Sequence, residues 1–408
     1  MRKNIVRRSL TESIEYSFDE SVPSLLQRVF AFRGAYNDND IQRDLNALLP
    51  VAQLKGAQEA LVFLKQALHK QQRILIVGDF DADGATSSAL AVLALQSMGA
   101  KHVDYLVPNR FDYGYGLTPE IVDVALSMNP DLIVTVDNGI SSVEGVQAAN
   151  DAGIIVVITD HHLPGKEIPN AAAIVNPNQA GCDFPSKNLA GVGVIFYLMS
   201  ALRTDLNADG WFEENSLPVP NMADFLDLVA LGTVADVVPL DRNNRILVHQ
   251  GIRRIRAGRC RPGISALIAV AGRKQETLVA SDLGFTVGPR LNAAGRLDDI
   301  SRGIECLLTV DSVMANEMAH ELDGLNRDRR AIEGGMQKEA MTSLEAIQDS
   351  FTDNEDALAF GLCLFDSTWH QGVIGILASR IKEKFYRPVI AFALANVEEG
   401  EQLPIDEN

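Results

Sequence analysis

The sequence predicts an α/β protein in which a parallel-sheet domain is joined by a long helix to a second, incomplete α/β unit. Three observations carry this. From Arg73 onward, short apolar runs alternate with helical patterns. An amphipathic stretch then runs from about Val313 to Ser350, and the strand–helix texture resumes after Asp353.

Residues 1 to about 70 read as helices with loops, because the apolar spacing in LLQRVFAF and AQEALVFLKQAL is helical. RILIVG is then a strand, GATSSALAVLALQSMGA a helix, VDYLV a second strand and PEIVDVALSM a helix. DLIVTV is a third strand, SSVEGVQAANDAG a helix and IIVVIT a fourth strand. Such alternation implies a parallel sheet covered on both faces. Helices follow over LAGVGVIFYLMSALR, MADFLDLVALGTVAD and NRILVHQGIRRIRAG. Met318, Leu322, Leu325, Ile332, Met336, Ala340, Leu344 and Ile347 recur mostly at three and four, which defines the long helix. Gly334-Gly335 is predicted to bend or weaken it. LAFGLCLF and PVIAFAL read as strands around the helix VIGILASRIKEKF. The expected divisions are 1–70 (helical), 71–310 (parallel sheet with a helical extension), 311–352 (connecting helix) and 353–408 (a partial second unit).

No run of about 18 uncharged apolar residues is present, and the N-terminus lacks the apolar stretch of a secretory signal. Cys182, Cys260, Cys306 and Cys363 are widely spaced, with no CxxC pair. That fits reduced thiols in a cytoplasmic protein better than a disulfide frame. The net charge of −18 argues against a nucleic-acid partner, but the distribution is uneven. Between Asp241 and Val310 twelve Lys/Arg face six Asp/Glu, and GIRRIRAGRCR holds Arg253, Arg254, Arg256, Arg259 and Arg261. A local basic surface on an acidic protein binds a polyanion; a solvated helix face is the equal alternative.

Three predicted strands run into acids: RILIVG into Asp79-Phe80-Asp81-Ala82-Asp83-Gly84, DLIVTV into Asp137-Asn138-Gly139, and IIVVIT into Asp160-His161-His162. In an open parallel sheet ligands sit beyond the carboxyl ends of the strands, so these groups meet at one edge. Singly, each has a plain reading: a turn, a helix cap, an exposed histidine pair. An EF-hand counted from Asp79 fails, because its twelfth position is Leu90, an apolar helix residue. Together, so many carboxylates in one cleft repel unless cations neutralise them. Mixed carboxylate and imidazole donors without cysteine suit Mn²⁺ or Mg²⁺, and a pair of ions sharing a bridging carboxylate suits attack on phosphorus. No Walker loop, Ser-His-Asp set or Rossmann fingerprint competes.

The segments VGDFDADGATS, VPNRFDYGYGL, VTVDNGIS, VITDHHLPG, LAGVGVIFYL, ALGTVADVVPL, GPRLNAAGRL and WHQGVIGILASR, in this order over about residues 70 to 390, resemble the DHH phosphoesterase superfamily. Within it the match is to the exonucleases of single-stranded DNA. The resemblance implies that Asp81 and Asp83 each bind one of two metal ions, that Asp137 bridges them, and that His161 and Asp236 complete the ligand set of the second ion. Asp79 would sit at or just behind the first ion. Asp160 would orient a neighbouring imidazole, and His162 would touch the scissile phosphate or protonate the leaving oxygen. Arg110 and Arg290 are implied phosphate ligands, with Arg296, Arg380 and His370 as further candidates and Tyr113 and Tyr115 as stacking faces. The implied activity is 5′→3′ removal of mononucleotides in DNA repair and recombination. A single-strand-binding protein or a helicase fits as partner, and a monomer is expected. Chains of this kind continue through a glycine-rich GGH segment and an OB-fold; neither is found here, so a C-terminally truncated form with a DHH-associated second domain is expected.

Three alternatives stand beside this reading: a DHH-type hydrolase of oligoribonucleotides or small phosphates, a phosphatase with an aspartyl nucleophile in Asp81-Ala82-Asp83-Gly84, and a binding protein without turnover. The second lacks a Lys in a suitable strand-end loop and leaves the Asp-His-His triplet unexplained.

Overall fold

The computed structural model describes Val6, residues 15–109, 113–350 and 360–394, with side chains of the long helix described as far as Leu344. Helix α1 (Ser24–Ala31) and three 3₁₀ turns lead into α2 (Ala57–Lys70). The sheet domain then runs β1 (Ile74–Val77), α3 (Ala82–Ser97), β2 (Val103–Leu106), α4 (Pro119–Leu126), β3 (Leu132–Val136), α5 (Val143–Asp151), β4 (Ile155–Thr159) and β5 (Ala173–Val175). All four predicted strands form. The three-residue β5 is an addition, too short to carry a period of its own.

The strand order is β2-β1-β3-β4-β5, parallel throughout. Chain direction across the sheet therefore reverses between β1 and β3, which opens a crevice at their carboxyl ends. Side-chain alternation splits the interior into two layers. Ile74 and Ile76 of β1, with Leu132 and Val134 of β3, pack against α2, α3 and α6 (Gly191–Ala208). Leu75, Val77 and Ile133 pack on the other face against Ile121 and Val122 of α4 and Val146 of α5. Helix α3 is buried on almost every side, as its nearly unbroken run of small and apolar residues requires.

A helical extension continues through α7 (Trp211–Glu214), α8 (Leu226–Ala235), α9 (Arg242–Arg256), α10 (Pro262–Val270), the single turn α11 (Ala280–Asp282), α12 (Gly288–Leu297) and α13 (Ser301–Leu308). Here the expected basic surface is partly consumed by the fold. Arg254 pairs with Asp224, Arg261 pairs with the buried Asp227, and Arg256 Nε donates to the Leu278 carbonyl at 2.6 Å. Arg253, Arg256 and Arg259 of that segment remain exposed.

Helix α14 (Ser312–Ser350) passes through Gly334-Gly335 without interruption. It is not a bare connector. Ala315, Met318, Ala319 and Leu322 belong to the first core, while Met336, Ala340 and Leu344 belong to a separate one. That second core is completed by β6 (Leu362–Phe365), α15 (Ile374–Phe385) and β7 (Val389–Phe392), with β6 and β7 parallel. One helix thus carries two apolar faces in series, which couples both units mechanically.

Candidate metal centre

Each acid is placed by the end of an element. β1 delivers Asp79, and Asp81 caps α3, its Oδ1 accepting from Asp83 N (2.8 Å) and Gly84 N (2.9 Å). β3 delivers Asp137, β4 delivers Asp160-His161-His162, and Asp236 closes α8. Asp137 sits in the left-handed region at φ 63°, an uncommon conformation for a residue with a side chain. The turn is fastened around it: Asp137 N donates to the Thr159 carbonyl, and Asn138 Nδ2 donates to Val77 and Val136 carbonyls on the two central strands.

Among the described residues these groups converge into sets whose ligand-type atoms lie within 4.8 Å of one another: Asp79, Asp81 and Asp137; Asp83, His161 and Asp236; and Asp137, His161 and His162. His161 Nε2 is 3.0 Å from Asp137 Oδ1, 3.7 Å from Asp236 Oδ2 and 3.9 Å from Asp83 Oδ2. Asp137 Oδ1, His161 Nε2 and Asp236 Oδ2 are buried and have no hydrogen-bond partner among the described residues. Three polar atoms so stranded carry a desolvation cost that a shared cation removes. The donor set is hard oxygen plus one imidazole, which fits Mn²⁺ or Mg²⁺.

The electrostatics agree. Burial, with the neighbouring Asp81, pushes Asp79 up to about 7, and burial and Asp81 push Asp236 up to about 6. Asp83 and Asp137 are raised well above the carboxylate range, by burial first and then by the acids around them. Burial, then His162, pushes His161 down to about 4, so its imidazole is neutral with a lone pair to offer. His162 behaves in the opposite way. Its Nδ1 lies 2.8 Å from Asp160 Oδ1, and that bond pushes it up to about 9. Asp160 is buried, yet the bond to His162 holds it below its usual value.

The expected DNA ligands are distributed unevenly. Tyr115 lies beside His162 (ring centroids 6.1 Å) and against Phe80. A cavity of about 710 Å³ adjoins Tyr115, Asp79, Asp160 and His162, and runs toward Ser141 and Glu144. Tyr113 is exposed, its N–H bonded to the Asn109 carbonyl. Arg110 lies outside the described residues. Arg290 is buried and paired with Asp323 at 2.7 Å, its Nη1 donating to the Thr286 carbonyl, so this guanidinium already ties α12 to α14. Arg296 and Arg380 line a second cavity, of about 550 Å³, with Phe285, Arg329 and Arg330. Arg380 is half-exposed beside Glu333 (3.2 Å). His370 stands just before α15, its Nδ1 accepting from Gly372 N at 3.1 Å.

Other supports were not visible as chemistry in the sequence. Gly191 N and Val192 N at the start of α6 donate to the Asp83 carboxylate at 2.6 and 3.0 Å. Asn292 Oδ1 accepts from Ala82 N at 2.7 Å and fastens α12 to the metal loop. Asn176 and Asn178 donate to the His162 and His161 carbonyls. The motifs LAGVGVIFYL and GPRLNAAGRL marked two of these places without revealing a role, because backbone amides and a remote amide side chain do the work.

Residues 73–233 match the DHH family, N-terminal domain. The chain is 59% identical over 381 residues to the single-stranded-DNA-specific exonuclease RecJ of Dickeya dadantii, covering 93% of this chain and 66% of that protein. It is 55% identical over 394 residues to the single-stranded-DNA-specific exonuclease RecJ of Salmonella typhimurium, covering 97% and 67%. Among solved structures it is similar to exonuclease RecJ bound to manganese, at 36% identity and a TM-score of 0.71, covering 85% of this chain and 82% of that one. It spans about two thirds of the length of the curated relatives it matches. On that identity and coverage, the chain belongs to the RecJ family of DHH phosphoesterases.

Proposed function

We propose that this chain is a metal-dependent exonuclease that trims single-stranded DNA from its 5′ end and releases 5′-mononucleotides, in DNA repair and recombination. The observation that carries the reading is the trio of buried atoms Asp137 Oδ1, His161 Nε2 and Asp236 Oδ2, unpartnered among the described residues, at the carboxyl edge of the sheet. The names and identities of the relatives supply the polymer and its single-strandedness.

In this reading Asp79, Asp81 and Asp137 hold one cation, and Asp83, His161 and Asp236 hold the other, with Asp137 shared. Bound there, Mn²⁺ or Mg²⁺ supplies Lewis-acid polarisation of a phosphodiester and a nucleophile at neutral pH. The protein's own part in proton transfer falls to His162. Asp160 engages Nδ1, so Nε2 presents the outward proton, and a group pushed up to about 9 is protonated at pH 7. As the bond between phosphorus and the 3′ oxygen of the terminal nucleotide breaks, His162 delivers its proton to that oxygen. Tyr115 beside it offers a face for the terminal base, and Arg296, Arg380 and His370 lie along the path of the strand. A single-strand-binding protein or a helicase exposes the substrate, and the chain acts as a cytoplasmic monomer.

The test uses single-stranded DNA labelled separately at each end, digested with Mn²⁺, with Mg²⁺ or with chelator, beside a duplex control. Early metal-dependent release of mononucleotides from the 5′ label, on single strands only, is expected. Cleavage of short dinucleotides with long strands untouched would transfer the reading to a small-phosphate hydrolase.

A further inference from the structure

Two glycines close on the two innermost carboxylates from different helices. Gly191 is the first residue of α6, and a Cβ built on it would lie 2.5 Å from Asp137 Oδ1 and 2.6 Å from Asp137 Cβ. Gly232 lies in α8, four residues before Asp236, and its Cβ would lie 2.7 Å from Asp83 Oδ1 and 2.2 Å from Thr86 Oγ1. Neither has a positive φ. Both are helical, where alanine is the better residue, so backbone conformation does not call for glycine at either position. The carboxylates do.

Neither acid can retreat cheaply. Asp137 is 2% exposed, and its backbone is pinned in the left-handed region by the bond from its N–H to Thr159. Asp83 is fully buried with both oxygens held by the α6 amides. A methyl group at either glycine would therefore displace the carboxylate itself.

We propose that Gly191 and Gly232 are positioning residues that set the carboxylate spacing of the metal centre, each for a different part of it. The inference rests on the two-cation reading above. Asp137 belongs to the set with Asp79 and Asp81 and also faces His161, so Gly191 governs both cation positions. Asp83 belongs only to the set with His161 and Asp236, so Gly232 governs one.

The experiment titrates Mn²⁺ into metal-free wild type, Gly191→Ala and Gly232→Ala, counting bound ions by calorimetry and by the free-ion paramagnetic signal. Circular dichroism and thermal unfolding of the metal-free proteins run alongside. Wild type should bind two ions. Gly191→Ala should weaken both at least tenfold, and Gly232→Ala should weaken one by that factor and leave the other unchanged. If Gly232→Ala does not fold, Gly232→Ala with Thr86→Ala removes the hydroxyl contact and keeps the one to Asp83. Two ions bound with wild-type affinity by folded alanine variants would overturn the proposal, as would equal weakening of both ions in Gly232→Ala. A wild type that binds fewer than two ions would instead overturn the two-cation reading on which it stands.

Discussion

Asp160 Oδ1 bonds both the backbone N–H of His162 (3.0 Å) and its ring Nδ1 (2.8 Å), so one buried carboxylate fixes the position and the protonation of one exposed imidazole. The other oxygen, Oδ2, accepts from Ile140 N and anchors the pair to the loop after β3. Asp160→Asn keeps the shape and removes the charge. We expect kcat to fall by about 10–100-fold with little change in KM, in line with the loss of a group that orients a proton donor. Mn²⁺ binding should persist.

The same pair should set the alkaline side of the pH profile. His162 is pushed up to about 9, so its acid form prevails below that pH and is lost above it. Activity should decline as pH rises through about 9. In Asp160→Asn the main cause of the upward shift is gone, so the decline should move toward the ordinary histidine range, near 6.5. A pH series of kcat for both proteins checks the direction; an unmoved alkaline limb would remove His162 from proton delivery.

Metal uptake should itself depend on pH. Asp79 is pushed up to about 7 and Asp236 to about 6, so protons occupy part of the cation-free site near neutrality. A cation binds the ionised forms and must displace those protons. Mn²⁺ affinity should therefore drop as pH falls from 8 to 6. Calorimetry in two buffers of different ionisation enthalpy should show net proton release on binding.

Removing an inner acid separates stability from catalysis. Asp137→Asn should abolish hydrolysis, by more than about 10³-fold, because Asp137 belongs to more than one ligand set. Yet Asp137 is raised by burial and by Asp83, Asp81 and Asp79, which means its charge opposes folding when no cation is present. The metal-free variant should melt no lower than metal-free wild type, while Mn²⁺ should stabilise wild type much more than the variant.

Two arginines should part company. Arg290 is buried against Asp323, and Arg290→Ala leaves that acid only the exposed Arg327, so unfolding free energy should fall by up to about 3 kcal/mol. Arg380 is half-exposed on the cavity wall, and Arg380→Ala should leave the melting temperature unchanged while raising KM for long single strands. Thermal unfolding and steady-state kinetics on both variants measure the contrast.

How far residue order reached can be seen in particular elements. ILIV and LIVTV, buried on both faces, are recognisable as central strands because a continuous apolar run bounded by polar loops has few other uses. Asp79, Asp137 and His161 could be assigned to one edge without coordinates, since strand-end acids of a parallel sheet share that edge. Asp236 was harder: in isolation it is a helix-end acid, and only packing of α8 on α3 brings its Oδ2 to 3.7 Å from His161 Nε2. Arg290 shows the opposite limit, because nothing in GPRLNAAGR tells that its guanidinium meets Asp323, thirty-three positions on.

The order of strands and helices, the residue types at the sheet's edge and hence the class of chemistry follow from residue order alone, because periodicity and strand-end position are local properties of the chain. The strand order that opens the crevice, the burial that strands three ligand atoms and the glycine gaps behind Asp83 and Asp137 arise with packing. Those depend on which helix lies against which carboxylate, and desolvation and close approach between distant segments exist only once the chain has packed.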